Sequence, residues 1–182
     1  MLHALEDTIA AIASPSGGAA RGIVRLSGPQ VVTILEHRFQ AVDGRRPSEQ
    51  PRPTVLAGDY RLDGSSVLPC EVYLWPTPRS YTGQPVAEVH TLGSPPLLEW
   101  LLRCLGADGA RLAAPGEFTL RAFLAGRLDL TQAEAVLGVI DAADPHQFQV
   151  ALNQLAGGLA GPLHRLRDQL LDLLAHLEAG FG

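Results

Sequence analysis

The sequence contains no lysine, so all 14 of its basic residues are arginine. Against 19 acidic residues they leave a formal net charge of −5. Because phosphate contacts require clustered basic side chains, this balance argues against nucleic-acid binding through a broad electrostatic footprint. A planar arginine fork still suits a single carboxylate or phosphate, but a codon bias towards arginine explains the missing lysine more simply.

Cysteine and long apolar runs are also scarce. The two cysteines, Cys70 and Cys104, lack the spacing of metal ligands and lie among apolar residues, which predicts reduced core thiols. Six scattered histidines indicate neither a metal site nor a catalytic triad. With no secretory signal and no run of 18 or more apolar residues, the sequence predicts a cytoplasmic protein without a membrane span.

The composition that remains is that of a packed protein. Hydrophobic residues make up 46% of the 182 residues and charged residues only 18%, which excludes a disordered chain. This length is long for one domain and short for two, so we expect one domain with a helical appendage.

The first part of the chain alternates strand-like and helix-like patterns. Short apolar runs bounded by Gly, Pro and Ser predict strands, and leucines spaced by three and four residues predict helices. The loop after the first strand is rich in glycine but lacks the residues of a phosphate-binding P-loop. The predicted strands are residues 8–13, 22–26, 54–62, 67–75 and 86–92, with an Asp63-Gly64 turn in the central hairpin and helices at 29–39 and 95–105.

Two of these predicted strands carry a charge that their apolar neighbours do not explain. Arg25 interrupts the strand GIVRL, and alternation places it on the face opposite Val24 and Leu26. Glu88 lies in the strand VAEVHTL, on the same face as His90. Each charge either faces solvent, which is the usual outcome, or lines a pocket.

Residues 115–142, PGEFTLRAFLAGRLDLTQAEAVLGVIDA, predict two helices separated by a glycine. A helix over residues 117–125 is followed by Gly126, which fits the left-handed position just past a helix end. Thr131 and Glu134 have the spacing of a capping box, which predicts the start of the second helix.

The end of the sequence predicts further helices. Asp144-Pro145 marks a helix start, and that helix should run to about residue 155. Gly157-Gly158 and Gly161-Pro162 then predict a break or kink. A coiled-coil-like seam follows and needs a partner in this chain or another, so we expect the natural protein to continue beyond Gly182. The seam consists of Leu163, Leu166, Leu170, Leu173 and Leu177.

Three segments closely resemble the amino-terminal region of the tRNA-modification GTPase family MnmE (TrmE). They are DTIAAIASPSGG…GIVRLSG (7–28), SYTGQPVAEVH (80–90) and, most specifically, residues 115–142. The resemblance covers essentially the whole chain and implies an α+β fold. A tetrahydrofolate-binding, aminomethyltransferase-like domain of mixed strands and helices over residues 1–118 would be followed by an all-helical segment over residues 119–182. The first domain is also implied to form a homodimer.

The resemblance implies a cofactor-binding role for three residues: Arg25 in GIVRLSG, Glu88 in VAEVH and Arg127 in AGRLDL, where the family often has lysine. Their ligand would be a tetrahydrofolate derivative, 5-formyl- or methylene-tetrahydrofolate. A carboxylate can accept the adjacent ring and amino N–H groups of a pterin, and an arginine fork suits the anionic glutamate tail of folate. For Arg127, a role at the end of a helix explains the charge equally well. No catalytic residue or metal ligand is expected in this segment.

The elements with which the family hydrolyses GTP are missing from this sequence. It has no Walker A motif, no Asp-x-x-Gly element with GTPase spacing and no carboxy-terminal cysteine motif. The chain alone is therefore not expected to hydrolyse GTP, and GTP, Mg and K would bind only in a GTPase domain that it lacks. The resemblance implies a longer enzyme that acts with an FAD-dependent MnmG-type partner on the wobble uridine of tRNA.

Two other functions remain open. A stand-alone folate-dependent one-carbon transferase would need an acid or base near the pocket, for which Glu117 and Asp129 are the candidates. A non-catalytic dimerisation scaffold is favoured by one departure from the family pattern. Residues 91–94 read TLGS where the family commonly has glycine-His-Gly-Gly, and losing glycines is expected to reshape the pocket wall.

Overall fold

The computed structural model describes residues 6–64, 66–157 and 160–180. They form two compact units, which divide between Ala125 and Gly126. The first unit contains a seven-stranded sheet with helices and the second is helical, which confirms the predicted α+β class. The strands are β1 (Ile9–Ile12), β2 (Ala19–Ser27), β3 (Phe39–Ala41), β4 (Thr54–Asp63), β5 (Ser66–Trp75), β6 (Val86–Gly93) and β7 (Arg111–Leu112). The helices are α1 (Val31–Arg38), α2 (Pro95–Ala107), α3 (Glu117–Leu124), α4 (Leu130–Asp141), α5 (Pro145–Leu155) and α6 (Ala160–Gly180), with a 3-10 turn at Pro47–Glu49.

The sheet has the strand order β3-β4-β5-β6-β2-β1-β7. Neighbouring strands are antiparallel except β1 and β7, which run parallel. The predicted central hairpin is confirmed, since β4 and β5 pair along their length and Gly64 has a positive φ of 39° in the turn. Ser65, also part of that predicted turn, lies outside the described residues.

One face of the sheet and the helices α1 and α2 enclose the hydrophobic core. Alternate residues of each central strand point into it, as the period of two in their apolar residues requires. Both cysteines lie in this core, which confirms their predicted role as small apolar side chains. Burial raises the pKa of the Cys70 thiol to about 12, which disfavours the reactive thiolate. The largest fully buried side chains of this core are Tyr60, Leu26, Ile34, Leu35, Leu56, Leu74, Leu101 and Leu105.

Several elements of the first unit differ from the sequence prediction. The helix predicted over residues 29–39 begins at Val31 and ends at Arg38, because Phe39 instead pairs with Tyr60 of β4. The helix predicted to end at Gly106 continues to Ala107. The strand β7 was not predicted, since two residues are too short to show an alternating pattern.

The helix α3 belongs to the compact first unit, whereas the predicted domains divide after residue 118. Three of its residues, Glu117, Arg121 and Ala122, are buried. Arg121 donates hydrogen bonds to Asp7 and Gln84, both far away in sequence. These long-range contacts hold the helix in the first unit, and they are not visible in the local pattern of residues 115–142.

In the second unit, the capping box of α4 lies two residues before the predicted one. The N-cap is Asp129, whose Oδ1 accepts from the Gln132 backbone N–H at 2.8 Å, while Gln132 Oε1 accepts from the Asp129 N–H at 3.0 Å. The prediction of Thr131 and Glu134 is therefore wrong. A carboxylate oxygen accepts this bond as well as a threonine hydroxyl does, and Thr131 itself donates to Asp129.

The remaining helix starts and stops largely match the sequence. Gly126 has the expected positive φ of 67°, and the carboxylate of Asp144 caps α5 by accepting from the Gln147 N–H. The break after α5 is confirmed, although Gly158 lies outside the described residues. The break also predicted at Gly161-Pro162 is wrong, because this pair lies inside the first turn of α6, where a missing N–H costs no helix hydrogen bond.

The leucine seam of α6 is exposed in its described part. Leu166, Leu170, Leu173 and Leu177 each expose more than half of their surface, and the side chain of Leu163 lies outside the described part. None of the helices in the described ranges is long and apolar enough to cross a membrane.

Candidate ligand-binding site

The two charges that interrupt the predicted apolar strands meet in the structure. Arg25 of β2 and Glu88 of β6 are direct cross-strand partners, and both side chains point away from the core. Glu88 Oε1 accepts from Arg25 Nε and Nη2, each at 2.8 Å. The Arg25 guanidinium also lies 5.7 Å from the ring centre of Phe118, in cation–π range. The fold thus brings together residues that are 63 positions apart in sequence.

A pocket of about 300 Å³ opens beside this ion pair. Its volume is at the lower end of the range for small-molecule sites. Arg25 and Glu88 supply its charges, and the aromatic rings of Trp75 and Tyr81 supply flat apolar surface. The described lining residues are Arg25, Trp75, Tyr81, Thr82, Val86 and Glu88.

His90 holds the second oxygen of the Glu88 carboxylate. Its Nε2 lies 3.0 Å from Oε2, and its ring contacts that of Tyr73 with centroids 4.3 Å apart. Only 12% of the His90 side chain and 17% of the Glu88 side chain are exposed. Strand alternation placed the two residues on one face, but the sequence did not indicate that they touch.

The loop between β5 and β6 forms one wall of the pocket. The hydroxyl of the buried Thr82 lies 2.7 Å from that of Ser27, and Ser80 donates to the Gln84 carbonyl. Gly83 has a φ of 72°, and a Cβ there would lie 2.6 Å from the Ala125 Cβ. This turn therefore requires glycine, and it holds Tyr81 and Thr82 at the pocket.

A partly buried ionic network connects this loop with α3. Arg121, only 1% exposed, donates to Asp7 Oδ1 at 2.5 Å and to Glu117 Oε1 at 3.0 Å, and it also donates to Gln84 Oε1 at 3.1 Å. Arg111 donates to Asp7 and to both oxygens of Glu117. Sequence analysis missed the network, because an arginine on a short helix is typical of an exposed surface.

The network lowers the pKa values of its two carboxyl groups. Hydrogen bonds from Arg111, together with those from the Ala114 N–H and Arg121, outweigh burial and lower the pKa of Glu117 to about 2. Burial opposes ionisation of Asp7, but hydrogen bonds from Arg111 and Arg121 outweigh it and lower the pKa of that carboxyl as well. Both groups are ionised near neutral pH and accept hydrogen bonds from arginine.

The acid–base candidates for a one-carbon transferase both have structural roles. Glu117 is bound by two arginines, and its low pKa makes it a poor proton donor or acceptor near neutral pH. Asp129 is the N-cap of α4. The geometry therefore gives neither residue the properties of a general acid or base.

The segment that departs from the family pattern continues β6 and leads into α2. Thr91 is buried and donates to the Pro69 carbonyl at 3.0 Å. At Gly93, an added Cβ would lie 2.5 Å from the Ala19 carbonyl oxygen, so this position keeps the close backbone approach that needs glycine. Among the described residues that line the pocket, none comes from positions 91–94.

Arg127, the third predicted site residue, lies in the loop between α3 and α4 and belongs to the second unit. Its side chain is exposed. Its contact with a ligand stays a prediction.

Metal binding has no visible site in the described ranges. No three His, Cys, Asp or Glu side chains there are grouped so that they could hold an ion. His3 and the side chain of His164 lie outside the described part.

The fold and the pocket define a class of protein: an α+β domain with a charged, aromatic-lined pocket on one sheet face, followed by a helical segment. Two family models match the chain in the same order. The model described as the GTP-binding protein TrmE N-terminus matches residues 8–127, and the MnmE helical domain matches residues 130–181. The chain therefore belongs to the MnmE (TrmE) family and corresponds to its amino-terminal region.

Curated relatives agree with this assignment. Proteins named tRNA modification GTPase MnmE from Rhodopirellula baltica, Synechococcus elongatus and Bacillus velezensis are 52%, 48% and 41% identical to the chain. The alignments cover 99%, 95% and 94% of the chain, respectively. The chain spans 38% of the length of each of these relatives.

Proposed function

We propose that the first unit of this chain binds a tetrahydrofolate derivative in the pocket beside Arg25 and Glu88. We further propose that this unit forms a homodimer and is part of a tRNA modification GTPase. That enzyme would act with an FAD-dependent MnmG-type partner on the wobble uridine of tRNA and would bind GTP, Mg and K in a separate domain. Membership of the MnmE family supports this reading.

One observation carries the folate proposal: an ion pair at the wall of a pocket that also contains two aromatic rings. Two charges in separate apolar strands, far apart in sequence, come together at one small cavity. A pair with a purely structural role needs no cavity beside it. This arrangement is what a flat, polar heterocycle requires.

The chemistry of the lining residues fits a pterin. The rings of Trp75 and Tyr81 can pack against a planar heterocycle, and the Glu88 carboxylate can accept one of its N–H groups. Arg25 offers a guanidinium for the anionic glutamate tail or for a polar oxygen of the ring. The Arg25 guanidinium also offsets the charge of the Glu88 carboxylate at the pocket wall.

Isothermal titration calorimetry with 5-formyltetrahydrofolate tests the proposal on this chain. We expect saturable binding, and a loss of affinity of about tenfold or more in Arg25→Ala and in Glu88→Ala, because charge-assisted hydrogen bonds are removed from a half-buried site. The matched control is Arg21→Ala, which breaks the exposed Arg21–Glu71 pair on the same sheet face and should leave the affinity unchanged.

Two results would contradict the folate proposal. If the wild-type chain gives no heat of binding, the pocket is not a folate site and a dimerisation scaffold becomes the better reading. If Arg25→Ala and Glu88→Ala both bind like the wild type, the ligand binds elsewhere. Far-UV circular dichroism of each variant separates lost binding from lost folding.

A further inference from the structure

The Glu88 carboxylate is held at both of its oxygens. Oε1 accepts from two nitrogens of Arg25, and Oε2 lies 3.0 Å from Nε2 of His90. An ionised carboxylate can only accept hydrogen bonds, so His90 Nε2 must carry the hydrogen. The contact therefore has a defined direction, with His90 as donor.

The other ring nitrogen of His90 makes no competing contact. Nδ1 is buried and has no hydrogen-bond partner among the described residues. The bond from Nε2 to Glu88 is therefore the hydrogen bond that orients the ring and the carboxylate relative to each other.

The ring itself is fixed by its surroundings. It contacts Tyr73 at a centroid distance of 4.3 Å with an interplanar angle of 34°. Tyr73 is in turn the direct cross-strand partner of Glu88. His90 therefore cannot move away from Glu88 without losing this packing.

Arg25 and His90 together determine the direction in which Glu88 can accept a further bond. Each carboxylate oxygen has two lone pairs. Both acceptor positions of Oε1 are used by Arg25, while Oε2 keeps one after binding His90. Glu88 lines the pocket, whereas His90 is not among the described lining residues, so His90 can affect a ligand only through Glu88.

We propose that His90 is a positioning residue for ligand recognition: as a donor through Nε2–H, it orients the Glu88 carboxylate so that Oε2 accepts an N–H group of the pterin. This inference rests on the proposed folate function. It gives His90 a role that does not require contact with the ligand.

Calorimetry on three variants of the full 182-residue chain tests the role in binding. His90→Leu has similar size but no donor, and we expect about tenfold weaker binding of 5-formyltetrahydrofolate. His90→Gln keeps an amide N–H and should stay within about threefold of the wild type, since it can restore the bond to Oε2. The matched control is His37→Leu, the same substitution at an exposed position of α1, and it should bind like the wild type.

A readout without ligand tests the contact itself. In nitrogen-15 NMR spectra near neutral pH, the His90 ring should carry a hydrogen on Nε2, and Glu88→Ala should abolish that preference. Signals are assigned by their loss in His90→Gln. If His90→Leu does not fold, as judged by circular dichroism, His90→Met supplies a second variant without a donor.

The outcomes separate this inference from the folate proposal. Wild-type affinity in His90→Leu, equal weakening in His90→Leu and His90→Gln, or a ring without a hydrogen on Nε2 would each overturn the positioning role. If the wild-type chain does not bind the ligand, the folate proposal fails and the recognition role of His90 fails with it. The NMR result then still decides whether His90 orients Glu88.

Discussion

At the scale of single residues, Arg121 shows how this protein accommodates a charge in its interior. Its side chain is almost completely buried, and its guanidinium is neutralised by Asp7 and Glu117. Removing one partner of a buried ion pair is costly, because the remaining charge cannot return to water. The free energy of unfolding should therefore be sensitive to each acidic member of the network.

We predict that Glu117→Gln lowers the free energy of unfolding at pH 7 by about 2 kcal/mol. The full pKa shift would correspond to more, but Arg111 is almost half exposed and solvent screens its share. The measurement is urea unfolding, with Glu99→Gln on the exposed side of α2 as a control that should change stability little.

The same substitution should change the pH dependence of stability. The pKa of Glu117 is lowered in the folded state from 4.5 to about 2, so its contribution is fully present above pH 4.5 and is lost as the pH falls towards 2. The difference between wild type and Glu117→Gln should therefore shrink over that range. A difference that stays constant with pH would show that the carboxylate charge is not the cause.

The sequence identified Arg25 and Glu88 as unusual, because a charge inside an apolar strand contrasts with its neighbours, and the structure places both at one pocket. Their contact with a ligand stays a prediction. Prediction from sequence failed for Arg121, which looks like an ordinary helical surface charge until the distant Asp7 is placed beside it. His90 was visible only as a residue on the same strand face as Glu88. Whether two such side chains bond depends on their rotamers and on Tyr73 in the next strand.

At the scale of elements, the sequence offers two possible capping boxes for the start of α4. Thr131 and Glu134 satisfy the capping-box spacing, but the structure uses Asp129 and Gln132. Both pairs are separated by three residues, so spacing alone cannot distinguish them. The deciding factor is which residue leaves the helical conformation, and Asp129 has a ψ of 172°.

We predict that Asp129→Ala lowers the stability of α4 by about 1 kcal/mol, because one backbone N–H of the first turn loses its acceptor. Gln132→Ala should lose the reciprocal bond to the Asp129 N–H, while Glu134→Ala should have almost no effect. Amide hydrogen exchange in the first turn of α4, measured by NMR, reports this locally. Faster exchange in Glu134→Ala than in Asp129→Ala would instead support the capping box of Thr131 and Glu134 that the sequence predicted.

At the scale of the whole molecule, the exposed leucines of α6 contrast with the well-packed core of the first unit. Four seam leucines expose more than half of their surface, and the chain spans 38% of the length of its curated relatives. The proposed homodimer is assigned to the first unit, so the seam should not be needed for it. The two possible sources of association can therefore be separated by mutation.

Sedimentation equilibrium should give twice the mass of the chain at micromolar concentration. The double variant Leu170→Glu/Leu173→Glu introduces charges into the seam and should leave that mass unchanged, because the helical unit does not form the proposed interface. A monomer at every concentration would contradict the homodimer. A dimer that the double variant dissociates would show that the helices carry the association.

Local patterns in the sequence determined most of the elements of this protein. Alternating apolar residues predicted the long strands, Asp-Gly predicted the central turn, and Asp144-Pro145 predicted the start of α5. The same patterns identified Arg25 and Glu88 as unusual. These features depend on neighbours within a few residues, which is the range over which backbone preference and side-chain periodicity act.

Only the tertiary structure decided which distant residues meet. It paired Arg25 with Glu88, placed His90 behind that carboxylate, and buried Arg121 between Asp7 and Glu117. It also kept α3 in the first unit and used Phe39 as a strand residue. Each outcome depends on contacts between segments far apart in sequence, where burial and charge pairing outweigh local preference.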